Sequence, residues 1–311
     1  MTNTYAKKRI GQKGDSWFQF ALLAWPLLQF AIFYIIVNLN SFKLAFQEWT
    51  ADPTEIGGVS FEHFSYVFQT MFPAIKKAVG TSLQFYAIST VISVPLGLMF
   101  AFYIFKKAWG SKLFRLFLFL PSIVSAMVMS VLFTEFLQAS GAVLLKDLLN
   151  IDMSGKPMFD ATSRTSYGAV LFFHIWTNFG TTTLIYSNKM GELSPETIEA
   201  AQLDGANYLQ EFWYIVLPFA FPTVSVFLVT GFATLFTNQY NLFSFYGGTI
   251  PFDSGTMGYY MYALVQDYAS SGNYHHIDYN RAAAVGILAT LVIVPTTMTL
   301  RWALEKYGPQ E

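Results

Sequence analysis

Polar and aromatic side chains that could bind a small molecule occur in two stretches of the chain that are otherwise apolar. The candidate binding residues are Trp176, Asn178, Tyr240 and Asn241. Amides donate and accept hydrogen bonds without carrying a charge, and aromatic faces pack on apolar surfaces. This set suits an uncharged solute with apolar faces and hydroxyl edges. The alternative is hydrogen bonding between neighbouring helices, which we favour for residues 181–183, Gly231 and Thr234.

Groups that make or break covalent bonds are missing from the same stretches. The chain has no Cys, no G-x-S-x-G sequence and no G-x-x-x-x-G-K-[ST] phosphate-binding loop. His275, His276 and Asp278 have no further metal ligand near them in the sequence, and we interpret His174 as a structural hydrogen-bonding residue. The residues therefore indicate binding rather than catalysis. We predict no enzyme activity, no catalytic residue, and no metal or cofactor bound by this chain.

The distribution of charge identifies the elements that must position these groups. Charged residues make up 12% of the 311 residues, against about 25% in soluble domains. Six windows of at least 19 residues contain no charge: 17–37, 79–105, 116–134, 167–188, 217–235 and 282–300. A helix of 19 residues covers roughly 28 Å, close to the hydrocarbon thickness of a bilayer. We therefore predict an all-α integral membrane protein with six transmembrane helices in the lipid bilayer.

The basic residues predict how the six spans are oriented. With the N-terminus inside, the inner segments carry 11 Lys and Arg and the outer segments carry 7. Positive charge is enriched in cytoplasmic loops, so we expect both termini in the cytoplasm. The predicted parts are an N-terminal tail at 1–16, a membrane domain at 17–304 with an inner loop at 190–216, and a C-terminal tail at 305–311. The net charge of −1 argues against a nucleic-acid partner.

The inner loop between the fourth and fifth windows carries the most distinctive pattern. Ser194 is a suitable N-cap for a short helix, and Gly205 is predicted to end or bend that helix. A second short amphipathic helix is predicted to follow, with one side formed by Leu209, Phe212 and Trp213. Two slim helices that meet at a glycine on the inner face of a membrane suit docking into a groove of another protein.

The inner loop resembles the cytoplasmic signature of permeases from binding-protein-dependent ABC importers. The matching residues are Glu199, Ala200, Ala201, Asp204, Gly205, Leu217 and Pro218. The string EAAQLDGANYLQEFWYIVLPFAFP is most similar to the carbohydrate-uptake branch, of the maltose and glycerol-phosphate type. The six-span layout and the YGG…P stretch from Tyr246 to Pro251 extend the resemblance over most of the chain.

The resemblance implies a fold like that of type I ABC importer permeases and a division of labour between subunits. The seven matching residues would form a coupling helix and its connection to the fifth span, which transmit the closure of a cytoplasmic ATPase to the membrane. The implied partners are a second homologous permease, two ATP-binding subunits and an extracytoplasmic solute-binding protein, in a bacterial plasma membrane. ATP and magnesium would bind the ATP-binding subunits, and the solute would be a carbohydrate such as an oligosaccharide.

Three alternatives fit parts of the same sequence. An ABC permease for glycerol phosphate should have Lys or Arg near the pathway, and no window contains one, although a polyol would need none. An ion-coupled secondary carrier often places charges at mid-membrane, where His174 alone titrates near neutral pH. A membrane-embedded enzyme is weakened by the missing catalytic groups. Uptake that depends on a separate ATPase, and not on an ion gradient, distinguishes the first class from the second.

Overall fold

The computed structural model describes residues 12–48, 58–138, 143, 147, 164–247, 255–270 and 277–309. These residues are helical or irregular, apart from one antiparallel bridge between Gln47 and Val59, which confirms the predicted all-α class. The first half contains α1 (Gln12–Phe30), a π-helical stretch (Ala31–Ile36), α2 (Val37–Phe46), α3 (Glu62–Tyr66), a second π-helical stretch (Val67–Met71), α4 (Phe72–Phe105), α5 (Ser111–Ile123) and α6 (Ala126–Phe136).

The second half contains the two longest helices after α4. Its elements are α7 (Arg164–Met190), α8 (Pro195–Leu203), α9 (Tyr208–Glu211), a π-helical stretch (Phe212–Val216), α10 (Leu217–Ala233), α11 (Leu242–Tyr246), α12 (Met257–Ser270) and α13 (Ile277–Tyr307). The inner loop of the sequence therefore corresponds to α8, α9 and the π-helical stretch that leads into α10.

Most of the predicted spans are confirmed by helix length and composition. Within the described ranges, four helical segments are long and apolar enough to cross a bilayer: Trp17–Phe46, Glu62–Phe105, Tyr208–Ala233 and Tyr279–Tyr307. The pair α5 and α6 makes a fifth if it counts as one span. The helix α7 has 27 residues and so covers about 40 Å, but its composition is more polar. Its role as a sixth span stays a prediction.

The third window is a bent pair of helices rather than one straight helix. The chain bends by 102° between α5 and α6, because Val124 and Ser125 adopt extended ψ angles of 141° and 134°. The β-branched side chains of Ile123 and Val124 lower the helix propensity at this point. A window without charged residues predicts a long apolar segment. It does not predict whether that segment is straight or bent.

Contacts divide the chain into two compact units. The first comprises Met1–Val67 with His276–Ile287, and the second comprises Phe68–His275 with Leu288–Glu311. Within the first unit, His63 is buried, and its Nε2 lies 2.9 Å from the Gln47 carbonyl oxygen and 3.4 Å from Asn280 Nδ2. These contacts tie the end of α2, the start of α3 and the start of α13 together.

In the second unit, α7 packs along both α4 and α5. One buried cluster consists of Phe85, Val170, Leu171, Tyr240, Leu242, Tyr259 and Ala263. The other consists of Leu98, Ala101, Tyr186, Met190, Val216, Ala220 and Val224. Because the second cluster joins α4, α7 and α10, it fixes the point at which the inner loop re-enters the helical bundle.

The close approach of α7 to α5 at Gly180 supplies a stability prediction. A Cβ atom on Gly180 would lie 1.8 Å from the carbonyl oxygen of Leu118, so the helices can meet there only without a side chain. We expect Gly180→Ala to lower the free energy of unfolding by about 1–3 kcal/mol, because backbone atoms must separate. Thermal unfolding in detergent measures the change. Gly168→Ala, also on α7, meets no atom within 4 Å, and an equal loss there would contradict the explanation.

Candidate functional site

The inner loop begins as the sequence predicts. The Ser194 hydroxyl accepts a hydrogen bond from the Thr197 backbone N–H at 3.3 Å and caps α8. The helix ends at Leu203, and Gly205 follows with a φ of +84°. This left-handed region is rarely occupied by residues other than glycine, asparagine and aspartate. The turn after α8 therefore depends on the backbone freedom of one glycine.

The residues predicted to contact an ATPase form an exposed tip, which here means residues 199–209. Its exposed members include Glu199, Ala200, Asp204 and Gly205, whereas Ala201 is half-buried. Three large apolar side chains are also exposed: Leu203 at 89%, Tyr208 at 70% and Leu209 at 71%. Exposed apolar side chains grouped in one short segment are typical of a binding surface. The tip is therefore exposed along most of its length, and its docking to an ATPase stays a prediction.

The predicted apolar side of the second short helix is partly wrong. Phe212 packs inward, with its ring centroid 5.2 Å from that of Phe102, whereas Leu209 and Trp213 are exposed. The reason is that the helix widens into the π-helical stretch Phe212–Val216. Such a stretch changes the angle between successive side chains, so a regular 3.6-residue period does not assign their faces.

A capping box and a buried ion pair hold the base of α9. The Asn207 and Gln210 side chains each accept a hydrogen bond from the other residue's backbone N–H, both at 2.9 Å. Glu211 is 1% exposed, and its carboxylate oxygens lie 2.5 and 2.6 Å from Lys106 Nζ. Because Lys106 directly follows α4, this ion pair ties the inner loop to the end of that helix.

Leu217 and Pro218 mark the entry into the next long helix, as predicted. Leu217 packs against the buried cluster that contains Tyr186 and Val216. Pro218 is the second residue of α10, and the helix continues into it from the π-helical stretch Phe212–Val216. Proline removes one N–H group from the helical hydrogen-bond ladder, and it lies here next to a stretch in which that ladder is already irregular. These two residues are half-buried, so they anchor the loop within the bundle rather than belong to the exposed tip.

A cavity of about 290 Å³ lies between α4, α7 and α10 in the second unit. Asn178 and Tyr240, two of the four predicted solute-binding residues, both line it. The wall contains further polar residues that were not among the predicted binding residues: Tyr86, Ser89, Thr90, Ser93, Thr182 and Asn238. Thr182 is one of the residues for which we favoured hydrogen bonding between helices. Four of the further residues, Tyr86, Ser89, Thr90 and Ser93, occupy positions i, i+3, i+4 and i+7 of α4, which lie on one face of a helix, and that spacing within an apolar window was the signal. No Lys, Arg, Asp or Glu is among the described residues that line the cavity.

Two residues of the cavity wall carry polar atoms without a partner. His174 Nδ1 and the Tyr186 hydroxyl are buried and form no hydrogen bond with the described residues. The predicted hydrogen-bonding role of His174 is therefore wrong for Nδ1, and the ring instead packs edge-on against Tyr240, with 4.7 Å between the centroids. A buried polar atom without a partner is destabilising, so a bound hydroxyl group or water would be favoured here.

The other two predicted binding residues lie outside the wall of this cavity. Trp176 is 38% exposed, and its ring stacks near Phe133 and Phe172, with centroids 6.4 and 6.5 Å away. Asn241 precedes α11 with a φ of +64°, and Tyr240 before it has a φ of +51°. Consecutive residues other than glycine with positive φ are uncommon, and such strain is concentrated at functional sites.

The family model of the binding-protein-dependent transport system inner membrane component matches residues 93–306. This range contains the exposed tip, the ion pair and most of the cavity wall, and it is more than half of the chain. The chain belongs to this family. It is a multi-pass membrane permease that functions in transport, as the resemblance of the inner loop implies.

Curated relatives of the permease match it over most of their length. The multiple sugar-binding transport system permease protein MsmF of Streptococcus mutans is 23% identical, over 86% of this chain and 88% of the relative. The arabinooligosaccharides transport system permease protein AraP of Halalkalibacterium halodurans is 25% identical, over 90% of this chain and 85% of the relative.

Solved structures share the fold of the permease. A bacterial ABC transporter involved in the import of the acidic polysaccharide alginate contains a chain with a TM-score of 0.74 and 20% identity. The match covers 95% of this chain and 97% of that chain. A crystal structure of the alginate transporter in complex with an alginate pentasaccharide-bound periplasmic protein gives a TM-score of 0.75. The predicted fold, that of an ABC importer permease, is confirmed.

Proposed function

We propose that this permease imports an uncharged carbohydrate, of oligosaccharide size, as half of an ATP-driven translocation pathway. The observation that carries the proposal is the cavity between α4, α7 and α10, whose described wall combines amides, hydroxyls and aromatic rings without a charged group. Hydroxyl edges of a sugar match the amides and hydroxyls, and its apolar ring faces match the aromatic rings. The printed names of the relatives, which refer to sugars and arabinooligosaccharides, support the same solute class.

The proposed assembly contains a second homologous permease, two cytoplasmic ATP-binding subunits and an extracytoplasmic solute-binding protein. Family membership and the periplasmic protein of the alginate structure support this arrangement. ATP and magnesium would bind the ATP-binding subunits, and the exposed tip would dock into them at the cytoplasmic face of a bacterial plasma membrane. Both termini would then be cytoplasmic. The exposure of Glu199, Asp204 and Gly205 supports this docking role.

The alternative solutes are distinguished by charge. A phosphate ester is favoured by a cationic side chain near its phosphate, and the described cavity wall supplies no Lys or Arg. An ion-coupled carrier commonly needs an acidic residue at mid-membrane, and the same wall supplies no Asp or Glu. Reconstituted transporter should therefore take up a neutral sugar with ATP inside the vesicles, and a proton or sodium gradient alone should drive no uptake.

Asn178 supplies a direct test of the cavity. We expect Asn178→Leu to reduce sugar uptake by about tenfold, because one neutral hydrogen bond to the solute is lost and its hydroxyl is left unpaired. Initial uptake rates in vesicles measure this effect. Asn38→Leu is a matched control, since both amides donate to the backbone carbonyl four residues earlier and Asn38 does not line the cavity. Equal uptake by the two variants would show that the cavity is not part of the solute pathway.

A further inference from the structure

A second concavity lies at the end of α4, within the second unit. We call it the basic groove, and its volume is about 900 Å³. The end of α4, the start of α5, the end of α7 and the segment 191–202 form its walls. Its charged lining residues are Lys106, Lys107, Lys112, Arg115, Glu192 and Glu199. The neutral cavity described above has no such residues, so a ligand of the basic groove would have a different chemistry from a neutral sugar.

Some of these charges are already neutralised by other side chains. Lys106 pairs with the buried carboxylate of Glu211 at 2.5 Å. Glu192 pairs with Lys189 at 2.9 Å. Glu199 is the one acidic residue of the described lining that forms no ion pair with a described cation. A single carboxylate therefore opposes the remaining cations of the basic groove.

Three cations of the basic groove are left without an acidic partner in the described chain. Arg115 donates to the neutral Oδ1 of Asn188 at 2.8 Å, which leaves its charge uncompensated. The side-chain ammonium groups of Lys107 and Lys112 form no hydrogen bond or ion pair with a described residue. Lys107 also has a φ of +51°, a conformation in which glycine would be less strained. A concave surface with three uncompensated cations favours an anionic ligand.

The surface beside the basic groove has the character of a membrane interface. Trp109 is 95% exposed in the loop between α4 and α5, and Leu113 and Phe117 on α5 are 63% and 67% exposed. Tryptophan is enriched where hydrocarbon meets the headgroups. Apolar side chains, including Phe105 and Ile198, also line the groove itself. Cations next to an apolar wall match a phosphate headgroup with the start of its acyl chains.

We propose that the basic groove binds the phosphate headgroup of an anionic phospholipid through Lys107, Lys112 and Arg115. The proposal rests on the proposed function in one respect, since the cytoplasmic orientation of the inner loop places the groove in the inner leaflet. Glu199 lines the groove and also belongs to the exposed tip. The bound lipid therefore contacts the segment that docks to the ATP-binding subunits, and it links the lipid composition of the membrane to coupling.

Lipid retention tests the proposal on the assembled transporter. The complex is reconstituted in nanodiscs of phosphatidylcholine and phosphatidylglycerol and washed with detergent, and the retained lipids are quantified by mass spectrometry. We expect retention of phosphatidylglycerol over phosphatidylcholine, and a roughly thirtyfold loss of this preference in the Lys107→Gln/Lys112→Gln variant. The Lys76→Gln/Lys77→Gln variant makes the same change in charge at the other end of α4 and should retain the preference.

Three outcomes would overturn the lipid assignment. The first is an equal preference for phosphatidylglycerol in the groove variant and the control variant. The second is displacement of the retained lipid by inorganic phosphate but not by chloride of equal ionic strength, which would make soluble phosphate the ligand. The third is a rise in retention when the ATP-binding subunits are omitted, which would make their surface the occupant. Selective retention by a complex that transports no sugar supports the lipid site and contradicts the proposed function alone.

Discussion

Lys106→Met is expected to destabilise the permease by about 3–5 kcal/mol, because it leaves the Glu211 carboxylate buried without its counter-ion. Glu211 is 1% exposed and Lys106 is 18% exposed. The lysine also lies over the ring of Tyr208, with Nζ 5.2 Å from the centroid. Methionine retains most of the aliphatic packing and removes the charge, so the loss measures the isolated carboxylate.

Removing the other partner of the ion pair should destabilise the permease less. In Glu211→Leu, the remaining Lys106 ammonium is near enough to the surface to be solvated, whereas the carboxylate of the first variant is not. The double variant Lys106→Met/Glu211→Leu should recover most of the stability, because no buried charge remains. Thermal unfolding of the four proteins in one detergent completes the double-mutant cycle. Equal single losses that add in the double variant would contradict the ion-pair explanation.

The elements of the fold were predictable where a local property decides them. Charge is excluded from long apolar runs by the cost of burying it in hydrocarbon, so the window 79–105 lies within α4 and the window 217–235 contains α10. The cap at Ser194 and the turn at Gly205 depend on the conformational preferences of single residues. The bend between Ile123 and Ala126 depends on backbone angles within an apolar run. The positions of charged residues do not predict those angles.

The candidate site was less predictable because its parts meet only after folding. Lys106 and Glu211 are 105 positions apart, and each is an ordinary loop charge in the sequence. The cavity joins Asn178 and Tyr240 with α4, whereas Trp176 on the same helix as Asn178 points to another environment. The cavity wall therefore includes two of the four residues chosen by residue type, and the packing of α4 against α7 brings further residues into the wall.

Gly205→Val is expected to reduce ATP-driven sugar uptake to background while the permease still inserts into the membrane. Gly205 has a φ of +84°, and a β-branched residue is strongly disfavoured there. Space is not the reason, since a Cβ at this position meets no atom within 4 Å. The turn itself would have to change, and the exposed tip around Leu203 and Tyr208 would no longer present the same surface to the ATP-binding subunits.

Gly205→Asn tests whether transport needs the left-handed backbone conformation at this position or needs glycine itself. Asparagine tolerates the left-handed region, and its side chain has the same open space, so most of the uptake should remain. Membrane yield, co-purification of the ATP-binding subunits and solute-stimulated ATP hydrolysis distinguish insertion, docking and coupling. We expect the valine variant to insert normally and to lose co-purification or stimulation. Full uptake by the valine variant would show that the tip does not couple ATP hydrolysis to transport. Equal loss of uptake in the asparagine variant would show that glycine is needed for the contact surface rather than for the backbone conformation.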